Sequence, residues 1–254
     1  MADLIITFDE SFSEPDRTEF RSIATEVYGI VIELFGGPPF FDLPIKCYKR
    51  SQGPITALDN WFNPTCVAIG ISAEKRRWAQ LVYQLGHEFA HVMLDPRRTN
   101  GIIETLCVAM SHDALHRMAD QWAGSPCAWK RTYSSSFREY LQQVEDESLD
   151  RLSMRERIRQ GGWQAAREYL MLHRDEQEQV SIAEINDVRG RDIQTLGAIA
   201  LRSAGVIPWN RLIGLAVRCS AIPVSANDDC EWRVAAFVPD ASLSASGILW
   251  PIGR

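Results

Sequence analysis

The residues best equipped for chemistry are His87, Glu88 and His91, in the stretch His87-Glu88-Phe89-Ala90-His91 within the run from Ala73 to Asp95. It spells H-E-x-x-H. On a helix, residues four apart project from one face, one turn above the other, so His87 and His91 present two imidazoles to a common point. Neutral imidazole is a good zinc ligand. A catalytic zinc takes three protein ligands and leaves its fourth position to a water, whose pKa the metal lowers to about 7. Glu88 lies about 100° round the helix from His87. Its carboxylate then stands beside the metal without ligating it, where it can take the water's proton.

This chemistry needs a helix, and the local sequence supplies one. Trp78, Leu81, Leu85, Phe89 and Val92 recur at helical spacing as an apolar stripe. His87 and His91 fall on another side with Gln84 and Leu94, so one face enters a core while the other looks into a cleft. Asp95-Pro96 ends the helix, because the residue before proline avoids the α region. Gly86 costs helix propensity, and close packing beside the site is one reason to keep it.

A third ligand must come from elsewhere. After the short loop 97–101, with Asn100 as N-cap, a second helix is expected from Gly101 to Ala123, closed by Gly124-Ser125-Pro126. So short a connection makes the two helices antiparallel neighbours, with Glu104 level with His91. Cys107 lies near Glu104's face and stays open as a thiolate ligand, ranked second. His112, about 12 Å farther along the axis, ranks third and is better placed to line the cleft. Ser111 is nearly on Glu104's face.

With these residues in place, the sequence resembles the gluzincin branch of the zincin metallopeptidases, in its compact, minimal form. The resemblance covers residues 60–125, roughly a quarter of the chain. It implies an α+β fold: a small mixed sheet, the H-E-x-x-H helix and a glutamate-bearing helix. It also implies Zn²⁺ held by His87, His91 and Glu104, and Glu88 as catalytic base in peptide hydrolysis. Two departures stand out. The gap from His91 to Glu104 is short, and Val108 replaces the carboxylate or amide often found one turn after the ligand. The H-x-x-G-x-x-H extension of metzincins is absent.

The rest of the chain frames this centre. Its 254 residues suffice for one large domain or two small ones. The reading divides it into a metal-binding region at 1–125 and a mainly helical region at 126–254. The net charge of -6 gives no global reason to expect nucleic acid or an anionic membrane, and no apolar run has membrane-spanning length. Acids near the N-terminus and the lack of a basic region argue against a secretory signal. Six widely spread cysteines, none in a CxxC pair, read as buried free thiols. A cytoplasmic protein is the expectation.

Strands are expected at Leu4–Phe8, Pro44–Ile55 and Cys66–Ile71, with a helix over Arg17–Phe35 before Gly36-Gly37-Pro38-Pro39. Cys66–Ile71 is either an ordinary core strand or, at an edge, a place for an extended peptide to add. Farther on, Phe137, Leu141, Val144, Ser148 and Leu152 mark a surface helix whose mixed charges over Glu145–Arg159 read as a solvated face. Gly161-Gly162 ends it. Further helices are expected at Trp163–Arg174, from Ser181 and at Trp209–Cys219, with a turn at 227–229 and a strand at Trp232–Val238. Tyr133, Tyr140, His112, His116 and His173 are all able to stabilise an oxyanion, and spacing does not choose among them.

Three functions follow from these residues. The first is a zinc metallopeptidase acting on a peptide or protein substrate. The second is a zinc-binding regulatory or interaction module with vestigial activity, and the third a metal-free helix hairpin. A protein partner can dock on the C-terminal region in any of them.

Overall fold

The computed structural model describes residues 6–39, 41–51, 53–60, 62–99, 101–172, 188–204, 207–213 and 222–223. Within them, four short strands build one mixed sheet: β1 (Ile6–Phe8), β2 (Ile45–Lys49), β3 (Ile55–Leu58) and β4 (Val67–Ile71), in the order β1-β2-β4-β3. β1, β2 and β4 are parallel, and β3 runs antiparallel to β4 with Thr56 opposite Ile69. Side chains alternate as the pleat requires. Ile6, Phe8, Ile45 and Cys47 are buried against helices, while Thr7 and Lys46 are exposed.

Helix α1 (Glu14–Phe35) begins three residues before Arg17. The Ser13 side chain accepts from the Asp16 amide, and Pro15 occupies the first turn, where its missing N–H costs nothing. Gly36 ends the helix in the left-handed conformation (φ 67°). Helix α2 (Trp78–Leu94) packs beside α1, with the Phe89 ring edge-on to Tyr28 at 5.1 Å. Leu81, Leu85, Phe89 and Val92 are buried as their spacing predicts. The N-terminus of α2 has no side-chain cap of its own, and Tyr133 Oη accepts from the Ala79 amide instead. At the other end Asp95 turns to φ 105°, its buried carboxylate held by Arg97 at 2.8 and 2.9 Å.

Strand β5 (Arg98–Thr99) leads into α3 (Gly101–Ala123). Helices α4 (Ala128–Arg151), α5 (Arg155–Leu172) and α6 (Val188–Ala204) follow, then a 3₁₀ turn at Trp209–Arg211 and β6 (Ile222–Pro223). β6 pairs antiparallel with β5, placing Ile222 opposite Thr99. One core extends from Ile6 to Leu212 and includes Phe137 and Leu141 of α4 and Ala198 of α6. Residues on both sides of position 125 therefore share it. A smaller cluster of Leu149, Met154, Ala166, Leu196 and Ala200 joins α4, α5 and α6.

The structure is mixed α and β, as expected, and departs from the sequence reading at specific points. The strand expected over Pro44–Ile55 is shorter, ending at Lys49; Gly53 turns the chain at φ 89°, and β3, which the sequence reading lacked, starts at Ile55. β4 is an interior strand paired on both sides, so it offers no edge; β3 is the outer strand on that side. The charged helix breaks early, at Ser153 (φ 55°), and Gly162 (φ 58°) kinks α5. Cys66 and Cys127 are half-buried, unlike Cys47 and Cys107. Among the described residues no helix is long and apolar enough to cross a membrane. Asn100, His173, the segment at 181–187, the continuation of the 209–219 helix past 213, the 227–229 turn and the 232–238 strand lie outside the described residues.

Candidate metal centre

Helices α2 and α3 form an antiparallel pair: His91 meets Glu104, while Gly86, earlier on α2, meets Ser111 and Ala114, later on α3. A Cβ at position 86 would stand 3.0 Å from both the Ala114 Cβ and the Ser111 Cα. Glycine is what lets the helices approach this closely beside the site.

That approach brings three predicted residues together. His87 Nε2 lies 3.1 Å from Glu104 Oε2 and 3.2 Å from His91 Nε2. His91 Nε2 is 3.4 Å from Glu104 Oε1. Cys107, one turn after Glu104, joins them: its Sγ and the two imidazole nitrogens all lie within 4.8 Å of one another. Glu104 sits in the first turn of α3, where the helix dipole favours a carboxylate. Thr99, from β5, donates its hydroxyl to Glu104 Oε1.

Glu88 stands on the same helix, near enough for both imidazoles to act on its charge. It is only 2 % exposed, and the Thr56 hydroxyl of β3 donates to its Oε2 at 2.6 Å. Neither threonine is marked by the sequence. Each is a short hydroxyl on a strand, distant in the chain from the carboxylate or contributed by a two-residue strand, so no periodic signal points to it.

Electrostatics in this enclosed space oppose one another. Burial pushes the Glu88 carboxyl up, and the facing imidazoles of His87 and His91 pull against it. Burial also disfavours the Glu104 carboxylate and the His91 imidazolium. In Glu104 the imidazole of His91 overrides burial and holds the carboxyl well below its usual range. In His91 the neighbouring Cys107 and Glu104 override it and hold the imidazolium well above its ordinary value. Burial lifts the Cys107 thiol to about 11.

Imidazole and carboxylate are both groups that zinc accepts as ligands. Tetrahedral ligands at the ordinary Zn–N and Zn–O lengths of about 2.0–2.1 Å stand about 3.3 Å apart. The two imidazole nitrogens are 3.2 Å apart, and each lies 3.1–3.4 Å from a different oxygen of Glu104. A metal would replace a set of mutually competing polar atoms by one common partner.

No family model, curated protein or solved structure matches the chain.

The lower-ranked candidates have other partners. His112 is fully buried, with Nδ1 3.3 Å from Glu145 Oε1 and its ring beside Tyr83, so it lines no open cleft. Tyr133 is committed to the start of α2, and Tyr140 packs edge-on against Tyr83. Ser111 donates back to the Cys107 carbonyl within α3. Val108 is buried.

Proposed function

We propose that this chain is a zinc-dependent metallopeptidase of the gluzincin type, with Zn²⁺ held by His87, His91 and Glu104. The observation that carries the reading is the convergence of two imidazoles and a carboxylate from two helices, the two nitrogens 3.2 Å apart and each 3.1–3.4 Å from a Glu104 oxygen, with Glu88 near enough to feel both imidazoles. Bound there, the ion would polarise a peptide carbonyl and acidify a water.

The remaining steps belong to the protein. Thr56 fixes one oxygen of Glu88, leaving the other to take the proton of the attacking water. The same carboxyl then delivers that proton to the leaving amine. β3 has one strand partner among the described residues, β4. An extended peptide adding to its outer side would lie along the strand that positions the base.

Retention of a general base supports catalysis, since a purely structural zinc needs none. The enclosure of the site favours a second reading. The side chains of His87, His91 and Glu104 are 15 %, 10 % and 10 % exposed, which suits a zinc-binding regulatory or interaction module without turnover. Glu88→Gln separates the two. The variant is expected to keep its zinc, measured by elemental analysis, and to lose hydrolysis of an unfolded-protein or peptide-library substrate. Full activity in Glu88→Gln would refute the mechanism. Wild-type protein with zinc but no turnover would select the regulatory reading.

A further inference from the structure

A catalytic zinc is bound by three protein groups and keeps one position for water. Here a further protein donor, Cys107, lies in the same cluster as the two imidazoles. His87 and His91 are spaced i, i+4 on α2, and Glu104 and Cys107 are spaced i, i+3 on α3, so each helix turns two donors toward the other. Cys107 is completely buried, and its Sγ lies within 4.8 Å of both imidazole nitrogens. The other described cysteines are on β2, just before β4 and at the start of α4, outside this cluster.

We infer that Cys107 is a fourth protein ligand, so that the resting zinc centre is closed by two imidazoles, one carboxylate and one thiolate. The inference rests on the metal reading above and concerns the state of that same site. Zinc is borderline-soft and accepts sulfur beside nitrogen and oxygen, at about 2.3 Å for Zn–S. When the metal binds, the Cys107 S–H bond breaks, the sulfur's electron pair forms the Zn–S bond, and the proton leaves to solvent. Nothing is oxidised or reduced.

The consequence is regulatory. With four protein ligands the ion has no place for a water, and Glu88 faces no nucleophile to deprotonate. Turnover then requires Cys107 to give up its bond, so the centre is latent until the α2–α3 pair is disturbed at that point. This accounts for a site that combines a retained base with near-complete enclosure.

Cobalt substitution tests the assignment without a substrate. The full-length wild type, reconstituted with Co²⁺, is expected to bind one ion per chain and show a near-ultraviolet thiolate-to-cobalt charge-transfer band. Cys107→Ser is expected to retain the ion and lose the band, while Cys66→Ser keeps both. Bound cobalt without the band in the wild type, or a band that survives in Cys107→Ser, overturns the inference and leaves the three-ligand reading standing. Failure of the wild type to bind either Co²⁺ or Zn²⁺ overturns both. Should Cys107→Ser not fold, zinc-edge X-ray absorption on the wild type decides the matter alone. One sulfur neighbour at about 2.3 Å supports the assignment, and a shell of nitrogen and oxygen only refutes it.

Discussion

Thr99→Val probes the proposed metal centre without replacing any of its proposed ligands. Threonine and valine share a shape, Thr99 is buried, and its pairing with Ile222 is made by the backbone, so β5 tolerates the exchange. What disappears is the hydroxyl that donates to Glu104 Oε1. A hydrogen bond to a charged group contributes about 1.5–3 kcal/mol, and water has little access to replace it, since the Glu104 side chain is 10 % exposed. That loss is shared between the metal-free fold and the zinc complex. If most of it falls on the complex, zinc affinity drops about ten- to a hundredfold, at roughly 1.4 kcal/mol per decade. Losing a hydrogen-bond partner of a metal ligand commonly costs about that much. Competition against a chromophoric chelator at fixed pH measures the affinity, and melting of the metal-free protein records the remainder. Thr99→Ser, which keeps the hydroxyl, should bind nearly as the wild type does. Wild-type affinity and unchanged melting in Thr99→Val would refute the view that Glu104 is a ligand oriented from β5.

Two further outcomes concern the helices around the site. In Gly197→Ala the new Cβ would sit 2.7 Å from Thr105 Cγ2, and such overpacking costs about 1–3 kcal/mol. Thr105→Ser removes the obstructing methyl, so denaturant titration should show the double variant recovering stability; a purely additive loss would place the strain elsewhere. His112 concerns pH. Burial lowers its folded pKa below the ordinary 6.5, against the opposing pull of Glu145. As the pH falls through 6.5, the unfolded chain takes up a proton that the folded chain resists. Stability present above that pH is therefore lost on acidification toward the folded pKa. His112→Gln should flatten this dependence relative to its own neutral-pH value, and parallel pH–melting curves would exclude His112 as its source.

Much of the centre was legible because local spacing dictates it. The stripe from Leu81 to Val92 set the register of α2, and that register fixed where His87, Glu88 and His91 point. Glu104 followed from the shortness of the loop. Gly86 was legible as an anomaly, and the contacts with Ser111 and Ala114 give its reason. Cys107 was readable as a near neighbour of Glu104's face, but spacing alone could rank it only as a substitute for Glu104. Its place beside Glu104 depends on how closely two helices approach, which no single-helix pattern contains. Thr56 and Thr99 were invisible for a related reason: what they bond is settled by the sheet and by β5. The Ser153 break carried no glycine or proline to announce it, and β3 is only four residues, Ile55–Leu58, too short for a clear alternation.

The pairing of β5 with β6 sets a schedule for making the protein. Every donor discussed here lies between positions 87 and 107, so all are synthesised before the second half of the chain exists. Yet Thr99, which steadies Glu104, receives its partner strand only at Ile222. At cellular translation rates the interval between those two events is on the order of ten seconds. During it the proposed ligands are present on a nascent chain whose β5 has no β6 to pair with. A chain released early, or cut before Ile222, keeps all of these residues and still lacks the strand that pairs with β5.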